Sequence, residues 1–183
     1  MWVLRGLRKG VLTTKFPEEL TEEERRMMKV RTCDTCDECP LEFCVSCYRG
    51  EEREAEIVVR RRIPFKKSVH VFFADAGSCN ACNREVEMLN NPQYDFHRLG
   101  IFFTPTPRHA DILLVSGCSE EMLKPIERAY SAMPEPKLVV ACGACAVNGL
   151  DEKGIRADVL IPGCPPSPLL ILKAILLARG DRV

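Results

Sequence analysis

The eleven cysteines of this 183-residue chain are the residues through which it can do chemistry, and their spacing narrows what that chemistry is. Cys79 and Cys82 form a CxxC pair in the glycine-containing stretch Asp75–Cys82, so two sulfurs can reach one ion or cluster. Cys164 stands in Pro162-Gly163-Cys164-Pro165-Pro166, a stiff loop just ahead of an expected helix start, where exposed N–H groups favour an anionic group. Cys142-Gly143-Ala144-Cys145 supplies a further pair, and Cys118 follows the run Val115-Ser116-Gly117. Four thiolates suit either zinc or a 4Fe–4S cluster. Structural zinc sites are commonly built from two compact knuckles, so donors dispersed from Cys79 to Cys164 favour the cluster. On spacing alone Cys118 and Cys142 compete for the same role, their other reading being small buried thiols.

A second group lies nearer the N-terminus. Cys33-x2-Cys36-x2-Cys39-Pro40 is followed by Cys44-x2-Cys47. Four of these five could hold a 4Fe–4S cluster, or the pairs Cys36/Cys39 and Cys44/Cys47 could hold zinc. Bare thiols so close together would oxidise readily, so a metal is expected, and the spacing leaves iron–sulfur and zinc open. An odd cysteine count, with no apolar signal region within Met1–Phe16, argues against a disulfide framework.

The elements that must position these sulfurs follow from hydrophobic pattern. Val69–Ala74, Gly100–Phe103, Asp111–Val115, Leu138–Ala141 and Asp158–Ile161 read as short strands. Asn83–Asn90, Glu120–Met133 and Pro168–Arg179 read as helices, with Pro125 expected to make the second irregular. The third carries Ser167 as N-cap, Pro168 in its first turn and Gly180 just beyond its end. This alternation predicts an α/β fold with a doubly wound, mostly parallel sheet, which binds ligands beyond the carboxyl ends of its strands. Cys79, Cys82, Cys145 and Cys164 all follow expected strands, so distant loops should converge there.

Residues 1–67 read as an extension: an amphipathic, basic arm (1–16), a charged connector (Glu18–Lys29), the cysteine-rich segment, and a charged strand or linker (51–67) with Arg60-Arg61-Arg62. Residues 68–183 form the α/β domain. The 26 basic and 26 acidic side chains balance, which argues against a general nucleic-acid binder. The longest apolar run, Leu169–Ala178, is broken by Lys173 and too short to span a bilayer. No GxGxxG or GxxxxGK[ST] follows a strand, which argues against a nucleotide-binding domain. His70, His97 and His109 lack ligand spacing to one another.

In combination, GSCNAC (77–82), PTPRHADILLVSG (105–117), RAYSAMPEPK (128–137), GAC (143–145) and IPGCPPSP (161–168) make residues 68–180 resemble the small subunit of group 4 nickel–iron hydrogenases, including formate hydrogenlyase. The related B subunit of respiratory complex I is similar but has adjacent cysteines in place of the CxxC. The resemblance implies a flavodoxin-like fold and one proximal 4Fe–4S cluster on Cys79, Cys82, Cys145 and Cys164, with Cys118 and Cys142 at non-ligand positions. It also implies that Glu85 matches an acid near the cluster, and that electrons pass to a catalytic large subunit. Ferredoxin-like and membrane-arm subunits would be further partners, on the cytoplasmic side of the membrane and peripheral to it. Relatives acting on quinone or sulfane sulfur use much the same subunit, and a zinc-stabilised adaptor without redox function is the contrasting reading. The chain departs from the resemblance in its short Cys145–Cys164 stretch and in residues 1–67, whose RGLRKGVLTTKFP (5–17) is instead similar to the opening of the ferredoxin-like subunits.

Overall fold

The runs Ile112–Ser116 and Leu138–Cys142 are buried at every position, as strands covered on both faces must be. A computed structural model describes residues 57–63 and 68–181, together with the backbone of Glu22, Lys29–Arg31 and Glu52–Glu54. Strands β1 (Lys29–Arg31) and β2 (Glu52–Glu54) pair antiparallel with each other. The main sheet comprises β3 (Val58–Val59), β4 (Val69–Asp75), β5 (Ile101–Phe103), β6 (Ile112–Ser116), β7 (Leu138–Cys142) and β8 (Val159–Ile161), in the spatial order β3-β8-β7-β6-β4-β5. Strands β4 to β8 are mutually parallel, and β3 closes one edge antiparallel to β8. Numbered among themselves, the five parallel strands run 2-1-3-4-5, the flavodoxin-like order. The expected α/β class and doubly wound sheet are what the chain adopts.

Helices α1 (Ala81–Met88), α2 (Glu120–Ala132), α3 (Ala144–Glu152) and α4 (Pro168–Arg179) cover the two faces. Alternation along the strands sorts the core. Ile112, Leu114, Leu138, Val140, Val159 and Ile161 pack with Val86 of α1 and with α4. Leu113, Val115, Val139 and Ala141 point the other way, onto Ile126 of α2 and Ala146 and Leu150 of α3. Helix α4 is apolar nearly all round, because it lies under the sheet and beside α1. Its ends are those the sequence announces: the Ser167 hydroxyl accepts from Leu170 N at 3.3 Å, and Gly180 closes the helix at φ 96°. Helix α2 runs through Pro125 without a break, contrary to the expected irregularity. The proline falls in its second turn, close to the helix end where carbonyl partners are most easily replaced by water.

The basic run is used within the fold. Arg61 forks over the Asp158 carboxylate at 2.8 and 3.0 Å and donates to Lys137 O at 2.6 Å. Arg60 pairs with Asp151 and with Ala157 O. Together they strap the β3 segment to the end of α3 and to the loops that enter β7 and β8. Each is largely exposed, so the strap sets placement more than stability. No helix among the described residues is long and apolar enough to cross a membrane.

Ile171, fully buried between α4 and the sheet, carries its share of this core. Ile171→Ala should cost about 2–5 kcal/mol of unfolding free energy. Glu87→Ala, on the exposed face of α1, should stay within about 0.5 kcal/mol. Urea unfolding of both variants checks the contrast.

Candidate functional site

The parallel register aligns Asp75, Ser116, Cys142 and Ile161 as one row, the last paired residues of β4, β6, β7 and β8. Every loop leaving this row carries cysteine. The sheet order reverses between β4 and β6, which opens a crevice where their outgoing loops part.

The first loop is pinned by one polar network. Asp75 Oδ1 accepts from Gly77 N at 3.0 Å and Ser78 N at 2.7 Å, while Asn83 Nδ2 donates to Asp75 Oδ2 at 2.7 Å. Asn83 Oδ1 in turn accepts from Ser116 Oγ at 2.7 Å and Ser78 Oγ at 3.0 Å. Burial works against ionisation of Asp75, but the Ser78, Asn83 and Gly77 donors outweigh it and hold the carboxyl below its ordinary range. Asn80 then turns the chain at φ 70°, so α1 begins at Ala81, ahead of the expected Asn83. Cys79 is left exposed in the loop and Cys82 sits in the first turn of the helix.

The loops after β7 and β8 are joined by backbone. Gly143 N donates to Ile161 O at 2.9 Å, and Ala144 N to Gly163 O at 2.8 Å. Gly143 has φ 88° and ψ 160°, a conformation essentially confined to glycine. A Cβ there would lie 2.5 Å from Cys82 Sγ and 3.5 Å from Gly163 O. Three cysteine loops therefore meet at one glycine. Beyond it Cys145 occupies the first turn of α3, and Cys164 lies in the bend after β8, followed by cis Pro165. Burial pushes the Cys145 thiol up, and negative charge on Cys82 and Cys79 pushes it further. Cys118 adds a smaller push of the same sign.

Cys142 and Cys118 part company. Cys142 is fully buried, on the α1/α4 side of the sheet, in the core cluster against which Cys82 packs. A hydrogen bond between the two thiols pulls Cys82 below its ordinary range; the same bond, together with burial, holds Cys142 well above. Cys118 belongs to the opposite face, its sulfur against Gly149 of α3 and its carbonyl accepting from Lys153 Nζ at 2.8 Å. Glu85, one turn after Cys82, is pushed up by burial and acts electrostatically on both Cys82 and Cys142. Spacing did not reveal the Cys82–Cys142 contact. Its signal was alternation: Leu138, Val140 and Cys142 share one face of β7.

The structure thus brings the loops of Cys79, Cys82, Cys145 and Cys164 to one rim, with Glu85 beside them. Cys33, Cys36, Cys39, Cys44 and Cys47 lie outside the described residues. Among the described residues no three Cys, His, Asp or Glu side chains are grouped as ligands of one metal ion. The donor chemistry nonetheless fits an iron–sulfur cluster: three loops that carry cysteine meet at Gly143, where Cys82 Sγ stands too close to admit a side chain.

Residues 79–151 match the family model described as NADH ubiquinone oxidoreductase, 20 Kd subunit. Over 124 residues the chain is 40% identical to a probable membrane-bound hydrogenase subunit, mbhJ, of Pyrococcus furiosus, spanning 61% of this chain and 74% of that one. It is 39% identical over 127 residues to formate hydrogenlyase subunit 7 of Escherichia coli, spanning 63% of this chain and 50% of the relative. Among solved structures, a chain of the membrane-bound sulfane sulfur reductase, an archaeal respiratory membrane complex, superposes with a TM-score of 0.49 at 28% identity. That superposition spans 63% of this chain and 73% of the other.

Gly143→Ala should lower the unfolding free energy by at least about 1–3 kcal/mol, since it adds backbone strain to a clash with Cys82. A variant as stable as the parent in urea would contradict the cradle. Asp75 predicts a pH signature. Its carboxylate is held below the usual value, so its stabilisation is complete above that value and drains away as pH falls through the folded-state pKa. The stability gap between parent and Asp75→Asn should be widest near neutrality and close in acid, as followed by circular dichroism in urea.

Proposed function

The chain belongs to the family of the NADH ubiquinone oxidoreductase 20 Kd subunit, and from that membership and the geometry of the rim we propose that it is an electron-transfer subunit of a membrane-associated, energy-converting nickel–iron hydrogenase or formate hydrogenlyase-type complex. Cys79, Cys82, Cys145 and Cys164 would hold a 4Fe–4S cluster, which when bound accepts and releases single electrons. The observation that carries this reading is the meeting of the three cysteine loops at Gly143, on the rim where the sheet order reverses.

The chain's own residues account for placement. The Asp75–Asn83–Ser116 network fixes the turn that presents Cys79 and Cys82. The Gly143–Ile161 and Ala144–Gly163 bonds hold the Cys145 and Cys164 loops side by side. Packed apolar strands beneath the rim exclude water from its inner side, which limits reorganisation when charge changes. Glu85 keeps its proton to a higher pH than an ordinary carboxyl, because burial disfavours its anion. In this reading a catalytic large subunit faces the rim, ferredoxin-like and membrane-arm subunits complete the assembly, and the chain sits peripherally on the cytoplasmic side of the membrane.

Anaerobically purified protein should contain about four irons per chain from this site and show an EPR signal on reduction by dithionite. Serine at Cys79, Cys82, Cys145 or Cys164 should abolish that signal, whereas Cys118→Ser should retain it. Zinc in place of iron, with no visible absorption bleached by dithionite, would replace this reading with a non-redox adaptor. Iron or zinc retained after the four-cysteine site is removed would belong to Cys33, Cys36, Cys39, Cys44 and Cys47, and its identity would settle which metal they hold.

A further inference from the structure

Cys142 is a buried thiol that the ligand set leaves unused. It ends β7 with no exposed surface, held in register between Ser116 of β6 and Ile161 of β8. Its side chain lies on the same face as Leu138 and Val140, toward α1, in the cluster against which Cys82 packs, and the Cys82 Sγ lies 2.5 Å from where a Cβ on the adjoining Gly143 would stand. The next residue, Gly143, turns the chain away at φ 88°, so Cys145 reaches the rim while Cys142 stays behind it. The arrangement is that of a donor standing behind a ligand.

We propose that Cys142 is a positioning residue for the cluster: its S–H donates a hydrogen bond to the Cys82 sulfur and thereby holds the cluster's reduction potential up. The inference rests on the cluster assignment above. An added electron places more negative charge on the cluster and its ligand sulfurs. A donor aimed at one of those sulfurs stabilises the reduced form more than the oxidised form. Burial strengthens the effect, because no water competes for the Cys82 lone pairs from that side. A thiol is a weak donor, so the expected effect is modest in size. Its position on a central strand fixes the donor in place without help from a mobile side chain.

The test is a redox titration followed by EPR, on the anaerobic full-length chain, comparing the parent with Cys142→Val and Cys142→Ser. Valine fills the space without a donor; serine keeps an O–H that can donate. Cys142→Val should retain its iron and become harder to reduce. At a fixed potential its ratio of reduced to oxidised cluster should fall about tenfold, equivalent to about 59 mV for one electron. Cys142→Ser should recover most of the difference. A purely structural thiol would leave the potential unmoved or fail equally with both substitutions. An unchanged potential in Cys142→Val, with full iron content, overturns the inference and leaves the cluster assignment standing. Loss of iron in both variants, with iron retained in Cys82→Ser, makes Cys142 a ligand and also overturns it. Absence of any cluster in the parent chain overturns the assignment beneath, and the inference with it.

Discussion

Parallel pairing of four strands in one register is the constraint on which the rest of this structure depends. Strands β6 and β7 are buried on both faces, so they cannot slip by one residue without turning each core side chain to the wrong layer. Their register carries β4 and β8 with it and ends all four strands on the row Asp75, Ser116, Cys142 and Ile161. Because the strands are parallel, the chain leaves that row four times in the same direction. Cysteines that are remote in sequence become neighbours for this reason, and no local motif is needed to gather them.

The same row decides what each rim residue can do. Alternation sends Cys142 toward α1 and Cys82, whereas the turn after β6 sends Cys118 to the opposite side, against α3. Two cysteines that spacing treats as equivalent candidates are therefore separated by the pleat of the sheet. Small residues make the separation possible. Gly143 lets Cys82 approach the β7 loop, and Gly149 leaves room for Cys118 within α3. Ser116, the polar side chain fully buried among the described residues, is satisfied by Asn83 and so ties the β6 end to the CxxC turn.

Much of this was readable in the chain. The parallel strands lie within a residue of where apolar runs place them, and α4 has the serine, proline and glycine expected at its ends. The convergence of the loops at the carboxyl edge followed from strand alternation alone. Helix α3 was not legible, because Gly149 and Val147 lower its intrinsic propensity. It forms through Ala146 and Leu150, which bury against the sheet, and the glycine is retained because a larger residue would strike Cys118. The roles of Arg60 and Arg61 were equally hidden. A charge run reads as a solvated face until the fold brings Asp151 and Asp158 opposite it.

A site assembled this way has a thermodynamic consequence. Cys79 and Cys82 can meet Cys145 and Cys164 only after β4, β6, β7 and β8 have paired, so the unfolded chain contains no preformed version of the rim. Whatever binds there binds the native state alone, and its binding free energy adds to the stability of the sheet. The coupling also runs the other way: a cavity in the core far from the sulfurs, under α4 for example, weakens ligand retention by weakening the fold that aligns the loops. The closely spaced cysteines at 33–47 differ in kind. Their donors are neighbours along the chain, so the entropy of bringing them together is small, and they need no sheet to become a set. One chain thus pairs a candidate centre whose integrity reports on the whole α/β domain with another whose ligands are gathered by sequence proximity.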